Sequence, residues 1–289
     1  MTEHPLMSER LGYEPGARLL IVNTDDYGMC HTENEASIRA IKEGLACSCT
    51  IMMPCPWSLH GLQLLKDHPD IPFGVHLTAV SEHKLYRWGP VVNTRMVPSL
   101  VDENGWFYAE GRIPEFLARV DVNELELEFA AQIEAVLDAG LNPTHLDSHC
   151  NIHVRHAGVF EMTAALARRY GLPLRAGGAL HIERLRQLGV PTTDHEPLDS
   201  YRLPVQDKPH IFHQLLRELP PGVSEWAVHP GTPSAELQAI TPTWPVRQTD
   251  YDFLLSSEAQ QLVQEEGIIL LTWQPLQKLW ADSHEFLSR

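Results

Sequence analysis

The feature that most limits what this chain can become is an order of segments. Short, continuous apolar runs alternate with stretches of helical periodicity, and several of those runs end in aspartate or histidine. RLLIVN (18–23) leads into Thr24-Asp25-Asp26, CSCTIMM (47–53) stops at Pro54, IPFGVHL (71–77) carries His76, and SEWAVH (224–229) ends on His229. THLDS (144–148) and GIILLTW (267–273) complete the set. Between them lie helical patterns. ASIRAIKE is opened by a capping-box pair, Thr32 and Glu35, and closed by Gly44; a second helix is expected over 59–66. Asp121 and Glu124 open the longest, with Leu125, Phe129, Ile133, Val136 and Leu137 on one face and Gly140 at its end. Further helices are expected over 158–170, near 211–218 and over 256–266. Apolar runs without alternation belong to strands covered on both faces, so the pattern predicts an α/β fold with one parallel sheet under helices. There is no internal repeat, low-complexity tract or Gly/Ser linker, and 289 residues suit one large barrel-sized domain better than two.

One stretch breaks the order. Residues 78–121 are rich in Gly, Pro, Trp and Tyr, including Tyr86, Trp88, Trp106, Phe107 and Tyr108. A loop of that length is either functional or disordered, and its aromatics argue against disorder. A wall over a site and a packed insertion covering a barrel edge are equally consistent with it.

Composition removes several function classes. The chain has 22 basic against 38 acidic residues and a formal net charge of −16, a field that repels nucleic-acid phosphates. No apolar run reaches the roughly 18 residues of a membrane span, and the first residues lack a basic segment followed by an apolar one, so a cytoplasmic protein with no membrane partner is expected. Five cysteines, Cys30, Cys47, Cys49, Cys55 and Cys150, are odd in number and lack the paired spacing of a structural zinc site, which predicts buried reduced thiols. The informative excess is the 16 histidines.

In parallel α/β folds, sites form at the carboxyl ends of strands, so Asp25-Asp26, His76, the segment His145-Leu146-Asp147-Ser148-His149 and His229 could converge. Adjacent carboxylates such as Asp25 and Asp26 are costly to bury ionised without a cation or donor; an Asx-type turn before Gly28 is the plainer alternative. His145, Asp147 and His149 share one side of an extended backbone. If a helical turn starts after Ser148, His149 and His153 become i, i+4 neighbours instead. Both geometries collect nitrogen and oxygen ligands for a divalent transition metal, and a structural hydrogen-bond network could use the same residues. His76 and His229 taken singly would pass for satisfied core histidines. Arg175, in LPLRAGG, is a candidate bidentate partner for a site carboxylate or else an exposed salt-bridge residue.

LLIVNTDDYG, GVHL, PTHLDSHCNIH and AVHPG, in this order and along nearly the whole chain from Arg18 to Trp273, resemble the YdjC-like carbohydrate deacetylases, the group that includes chitooligosaccharide deacetylases and is related to NodB-type polysaccharide deacetylases. Two positions depart from the family pattern: Tyr27 stands where Phe is usual, and Cys150-Asn151 interrupts a run of histidines. The resemblance implies a distorted TIM-like (β/α) barrel of about seven parallel strands that removes acetyl groups from a small N-acetylated saccharide, and it implies a homodimer. By the same resemblance Asp26, His76 and His149 hold one divalent metal ion, Asp25 is the general base, His229 the acid, and Arg175 orients Asp25. Ligand chemistry favours zinc or another transition ion, and the family adds magnesium. Tyr27, Trp88 and Trp106 are the expected substrate contacts, the last two on the clustering of their segment. Rival readings are a non-catalytic sugar- or metal-binding protein on this scaffold and another metal hydrolase, such as a phosphoesterase.

Overall fold

A computed structural model describes the backbone of residues 5–287 and the side chains of residues 5–282. Seven parallel strands form one sheet: β1 (Arg18–Tyr27), β2 (Ser48–Ile51), β3 (Phe73–Leu77), β4 (Leu146–Ser148), β5 (Leu198–Asp199), β6 (Gly222–Val228) and β7 (Ile269–Leu270). Their order is β4-β3-β2-β1-β6-β5, with β7 pairing the first half of β1 beside β2's register on the second half. The sheet curls into a half-barrel and its ladder does not close. Between β4 and β6 the backbone pairs irregularly: Leu146 bridges Leu174, Leu174 N–H donates to Pro191 C=O, and Asp194 N–H donates to Val223 C=O. The α/β architecture and the parallel sheet agree with the sequence; the expected barrel is an open, distorted one.

β1 explains why. It is the longest strand and every residue after Arg18 is buried. Alternate side chains feed two different cores, as the period of two requires. Leu20 and Val22 pack with Trp226, Val228, Phe212 and Phe253 under the outer helices Lys208–Arg217 and Trp244–Leu254. Leu19 and Ile21 face the barrel interior with Val223, Leu271, Trp273 and Leu276. Continuing along that inner face, the next residues are Asn23 and Asp25. The interior therefore changes from hydrocarbon to charge along one strand.

All six expected helices are present: His31–Glu43, Ser58–Asp67, Val122–Asp138, Ala157–Tyr170, Lys208–Arg217 and Ser257–Glu265. Asp121 caps the long helix, accepting from Asn123 N–H. The expected capping box at Thr32 and Glu35 is absent. The helix starts two residues earlier, after Cys30, and the Thr32 hydroxyl instead meets Thr232. Helices at Ala179–Gln187, Ala235–Ile240 and Trp244–Leu254 were not anticipated, because prolines around them obscure a short apolar period.

Residues 78–121 are not a bare loop. Val80 bridges Tyr108, Val101 bridges Phe107, and a helix spans Ile113–Arg119. Trp88, Leu100, Phe107, Tyr108 and Phe116 belong to the largest hydrophobic core. The Glu128 carboxylate takes Val91 and Val92 N–H, and Gln132 exchanges hydrogen bonds with the Thr78 backbone, so the long helix fastens this segment down. All five cysteines are free, three buried and two partly so. No helix among the described residues is long and apolar enough to cross a membrane.

Candidate active site

The site begins with a fault in β1. Its pairing with β2 slips between Thr24 and Tyr27, and Asp26 has φ of +63°. In a regular strand neighbouring side chains point to opposite faces; a bulge re-aims one of them. Here it brings both Asp25 and Asp26 to the same cavity. A left-handed aspartate costs little beside other non-glycine residues, because its short polar side chain tolerates that region.

Asp26 Oδ1 lies 3.1 Å from His149 Nδ1 and 3.5 Å from His76 Nε2. All three residues are buried, and one ligand atom of each falls within 4.8 Å of the others. The opposite atoms are anchored. The parallel register sets His76 beside Asp147, and His76 Nδ1 is 2.7 Å from Asp147 Oδ1. His149 Nε2 is 2.7 Å from Glu82 Oε2, and Glu82 also meets His83. Asp26 Oδ2 accepts from Arg247 Nη2 at 2.7 Å.

These contacts decide protonation. With Nδ1–H given to Asp147, the Nε2 lone pair of His76 faces a carboxylate oxygen, and His149 stands between two carboxylates. Acceptors facing acceptors need a cation between them, either protons or a metal ion. Without metal, protons fill that place. Burial pulls His76 down, but Asp147 and Asp25 outweigh it and raise it to about 9. His149 is likewise lifted well above its ordinary value by Cys150, Glu82 and Asp26 against burial. Burial pushes Asp26 up, yet Arg247 and His149 hold it well below the usual carboxylate range. Two imidazoles and one carboxylate fit a divalent transition ion, and the Asp147 and Glu82 carboxylates behind the rings are the outer partners such sites use.

Asp25 is held differently. Arg175 Nη1 and Nη2 grip its two oxygens at 2.7 and 2.8 Å, and Asn23 Nδ2 adds a bond at 2.8 Å. The same guanidinium also binds Glu225 at 2.9 Å and lies 2.9 Å from Asp147, so three carboxylates share one cation. Burial and Asp147 raise the Asp25 carboxyl, but Arg175 and His76 together pull it down and the net shift is downward. Glu225, deeper in the barrel, is raised by burial to about 7 despite Arg175. Arg175 is thus a buried clamp, not an exposed salt bridge.

His229 follows the last residue of β6 and lines the same cavity as Asp25 and Asp26, a space of about 280 Å³. Its backbone N–H donates to Asp250, whose other oxygen binds Lys208. The ring stands edge-on to Tyr201 at 5.0 Å, and Nδ1 has no hydrogen-bond partner among the described residues.

Several sequence expectations need correction. His145 and Asp147 do share the inner face, but His145 sits deeper. It stacks on Trp273 at 4.9 Å, over Gly74, where any Cβ would come within 2.6 Å of the ring. Burial lowers it to about 3, which makes it a packing residue. His153 is not a helical neighbour of His149. Cys150 and Asn151 both take positive φ, and the His153 ring turns away to Ser148 and the Arg175 carbonyl. The three proposed substrate contacts are elsewhere. Tyr27 is fully buried with its hydroxyl on Gly61 C=O, and Trp88 is buried with its indole N–H on Val80 C=O. Trp106 is exposed but does not line the cavity. The aromatic ring that does line it is Tyr201. Sequence reading also missed Glu82, Glu225 and Arg247. Glu225 carried a faint signal, a carboxylate inside an otherwise strand-like apolar run; the other two carried none.

The family model described as YdjC-like protein matches residues 19–265. A carbohydrate deacetylase of Enterococcus faecalis is 31% identical over 264 residues, covering 89% of this chain and 97% of that one. A chitooligosaccharide deacetylase of Yersinia enterocolitica is 31% identical over 163 residues, 55% of this chain and 59% of its own. Among solved structures, an Enterococcus faecalis protein described as a candidate cellobiose-phosphate cleavage protein superposes with a TM-score of 0.78 at 28% identity, over 90% of this chain and 99% of that chain. A match over most of the length, joined to the strand-end constellation of Asp and His, places this chain in the YdjC-like family, whose members include carbohydrate deacetylases.

Proposed function

We propose that this chain is a metal-dependent carbohydrate N-deacetylase that hydrolyses the acetamido group of a small saccharide. The observation that carries the reading is the convergence of two buried imidazoles on one oxygen of Asp26 while a second aspartate, its neighbour in sequence, is clamped separately beside them. Asp26, His76 and His149 would hold the ion. When bound, a divalent ion there supplies Lewis acidity, polarising an acetyl carbonyl and lowering the pKa of water.

The chain's own residues then divide the proton work. Asp25 stays ionised, and the two Arg175 bonds fix its plane. Held ionised in that plane and lining the cavity, Asp25 is placed to take a proton from a water bound there. His229 lines the same cavity and is the imidazole there outside the proposed ligand set, so it is placed to deliver a proton to the departing amine. Each proton-transfer group contributes typically ~10²- to 10⁴-fold in rate. Tyr201 gives the sugar an aromatic edge in place of the tryptophans expected from sequence. A cavity of about 280 Å³ lies at the small end of ligand sites, which supports a short saccharide over a polymer.

Acetate release from N,N′-diacetylchitobiose, followed with and without a chelator, tests the proposal. Release that stops on chelation and returns with added ion is expected. Binding of the sugar without release would favour a non-catalytic carbohydrate-binding protein, and phosphate release from sugar phosphates would favour a phosphoesterase.

A further inference from the structure

We infer that Arg247 is a positioning residue for the cation site: it ties down one oxygen of Asp26 so that the other is presented to His76 and His149. The inference rests on the reading of Asp26 as a metal ligand. Arg247 lies on the helix Trp244–Leu254, more than two hundred residues from Asp26 in sequence, and is 1% exposed. Its Nη2 donates to Asp26 Oδ2 at 2.7 Å, a charge-assisted bond on the oxygen that does not face the imidazoles.

The rest of the guanidinium argues against a purely structural part. Nε and Nη1 make no well-directed hydrogen bond among the described residues, although Nη1 lies 2.9 Å from Glu33 Oε1. Burying a guanidinium is expensive unless its donors are satisfied, and replacing such an ion by hydrocarbon is often neutral or stabilising. This one is buried with a single directed bond, and that bond goes to the site. Tyr201 covers the guanidinium, its ring centroid 5.3 Å from Cζ, and holds it against the cavity wall. Glu33, behind it, is held within 2.9 Å and is itself buried.

The geometry has a defined consequence. A carboxylate free to rotate offers either oxygen, or both, to a cation. With Oδ2 held by Arg247, the carboxylate is fixed in rotation and presents Oδ1 in the direction the two rings already face. Loss of an outer partner of this kind typically costs ~10- to 100-fold in metal affinity.

The test is cobalt(II) titration of the metal-free enzyme, read by calorimetry and by the visible d–d spectrum, for the parent and for Arg247→Met and Arg247→Lys. A thermal melt checks folding. The methionine variant is expected to stay folded, to bind cobalt about 10- to 100-fold more weakly and to show an altered spectrum. Lysine keeps the charge as a point donor without the planar fork, so it should restore part of the affinity. A folded Arg247→Met protein with parental affinity and spectrum would overturn the inference. Should Arg247→Met fail to fold, parental affinity and spectrum in Arg247→Lys would overturn it equally. If instead the parent binds no cobalt, or binds it undiminished after His76→Ala, the reading of the metal site fails first, and the two failures are told apart.

Discussion

The two ends of the barrel interior are built from the same strands and obey opposite rules. Toward the amino ends, Leu19, Ile21, Val223 and Leu271 fill the space with hydrocarbon and need no partners beyond close packing, and Trp273 marks the boundary by donating its indole N–H to Glu225. Toward the carboxyl ends, Asp25, Glu225, Asp147, Arg175, His76 and Asp26 occupy equally buried positions, and each depends on a charged neighbour. The first arrangement stabilises the fold and tolerates conservative change in volume. The second is a costly way to fill a core, since each ion loses hydration that its partners only partly return. Stability and chemistry are thus segregated along β1 within four residues, from Ile21 to Asp25.

That segregation can be broken from either end. The largest effect is expected for His76→Ala, which removes one of three ligands and the anchor to Asp147. Acetate release should fall to the level of the chelated parent, with cobalt affinity lost, while the melting curve stays cooperative. Asp25→Asn should separate catalysis from binding: metal content by elemental analysis is retained, and kcat drops by about 10²- to 10⁴-fold. Retention of the parental rate in Asp25→Asn would remove it as the base.

A third prediction concerns pH. In the metal-free protein His76 is raised to about 9, above the roughly 6.5 of an unfolded histidine. A folded-state pKa above the unfolded one gives stability that is fully present below pH ~6.5 and is lost as pH rises through about 9. Metal-free protein should therefore melt at progressively lower temperature over that window. The same proton must leave before an ion binds, so ion affinity should rise with pH and flatten above it. Identical pH profiles for the metal-free parent and His76→Gln would contradict the assignment. The smallest effect on activity is expected at the other end of the interior. Ile21→Ala should cost about 2–5 kcal/mol in denaturant unfolding while kcat per folded molecule is unchanged.

The same boundary marks what the sequence could disclose. The unbroken apolar run 18–23 revealed a strand buried on both faces, and the Asp and His residues at strand ends pointed to the site, because parallel strands deliver their carboxyl ends to one place. The side on which Asp25 and Asp26 lie was not legible. It depends on a bulge and a positive φ at Asp26, which no residue pattern announced. Arg247 and Glu82 were invisible because each reaches the site from a segment whose local pattern served another purpose, a helix and the 78–121 segment. The tryptophans misled for a related reason. Aromatic clustering identifies residues that avoid water, and Trp88 satisfies that by entering the core, not by facing a sugar. Arg175 was legible as a partner for a carboxylate but not as the shared cation of three.

The account stands on one cation held jointly by Asp26, His76 and His149. The most direct measurement is an anomalous difference map from zinc- or cobalt-loaded crystals collected at the metal edge. A single strong peak about 2.0–2.2 Å from a carboxylate oxygen of Asp26 and one nitrogen each of His76 and His149 is the predicted result. A peak only at the surface group of His31, Glu35 and the half-buried His60, whose ligand atoms also lie within 4.8 Å of one another, with none at Asp26, would contradict it.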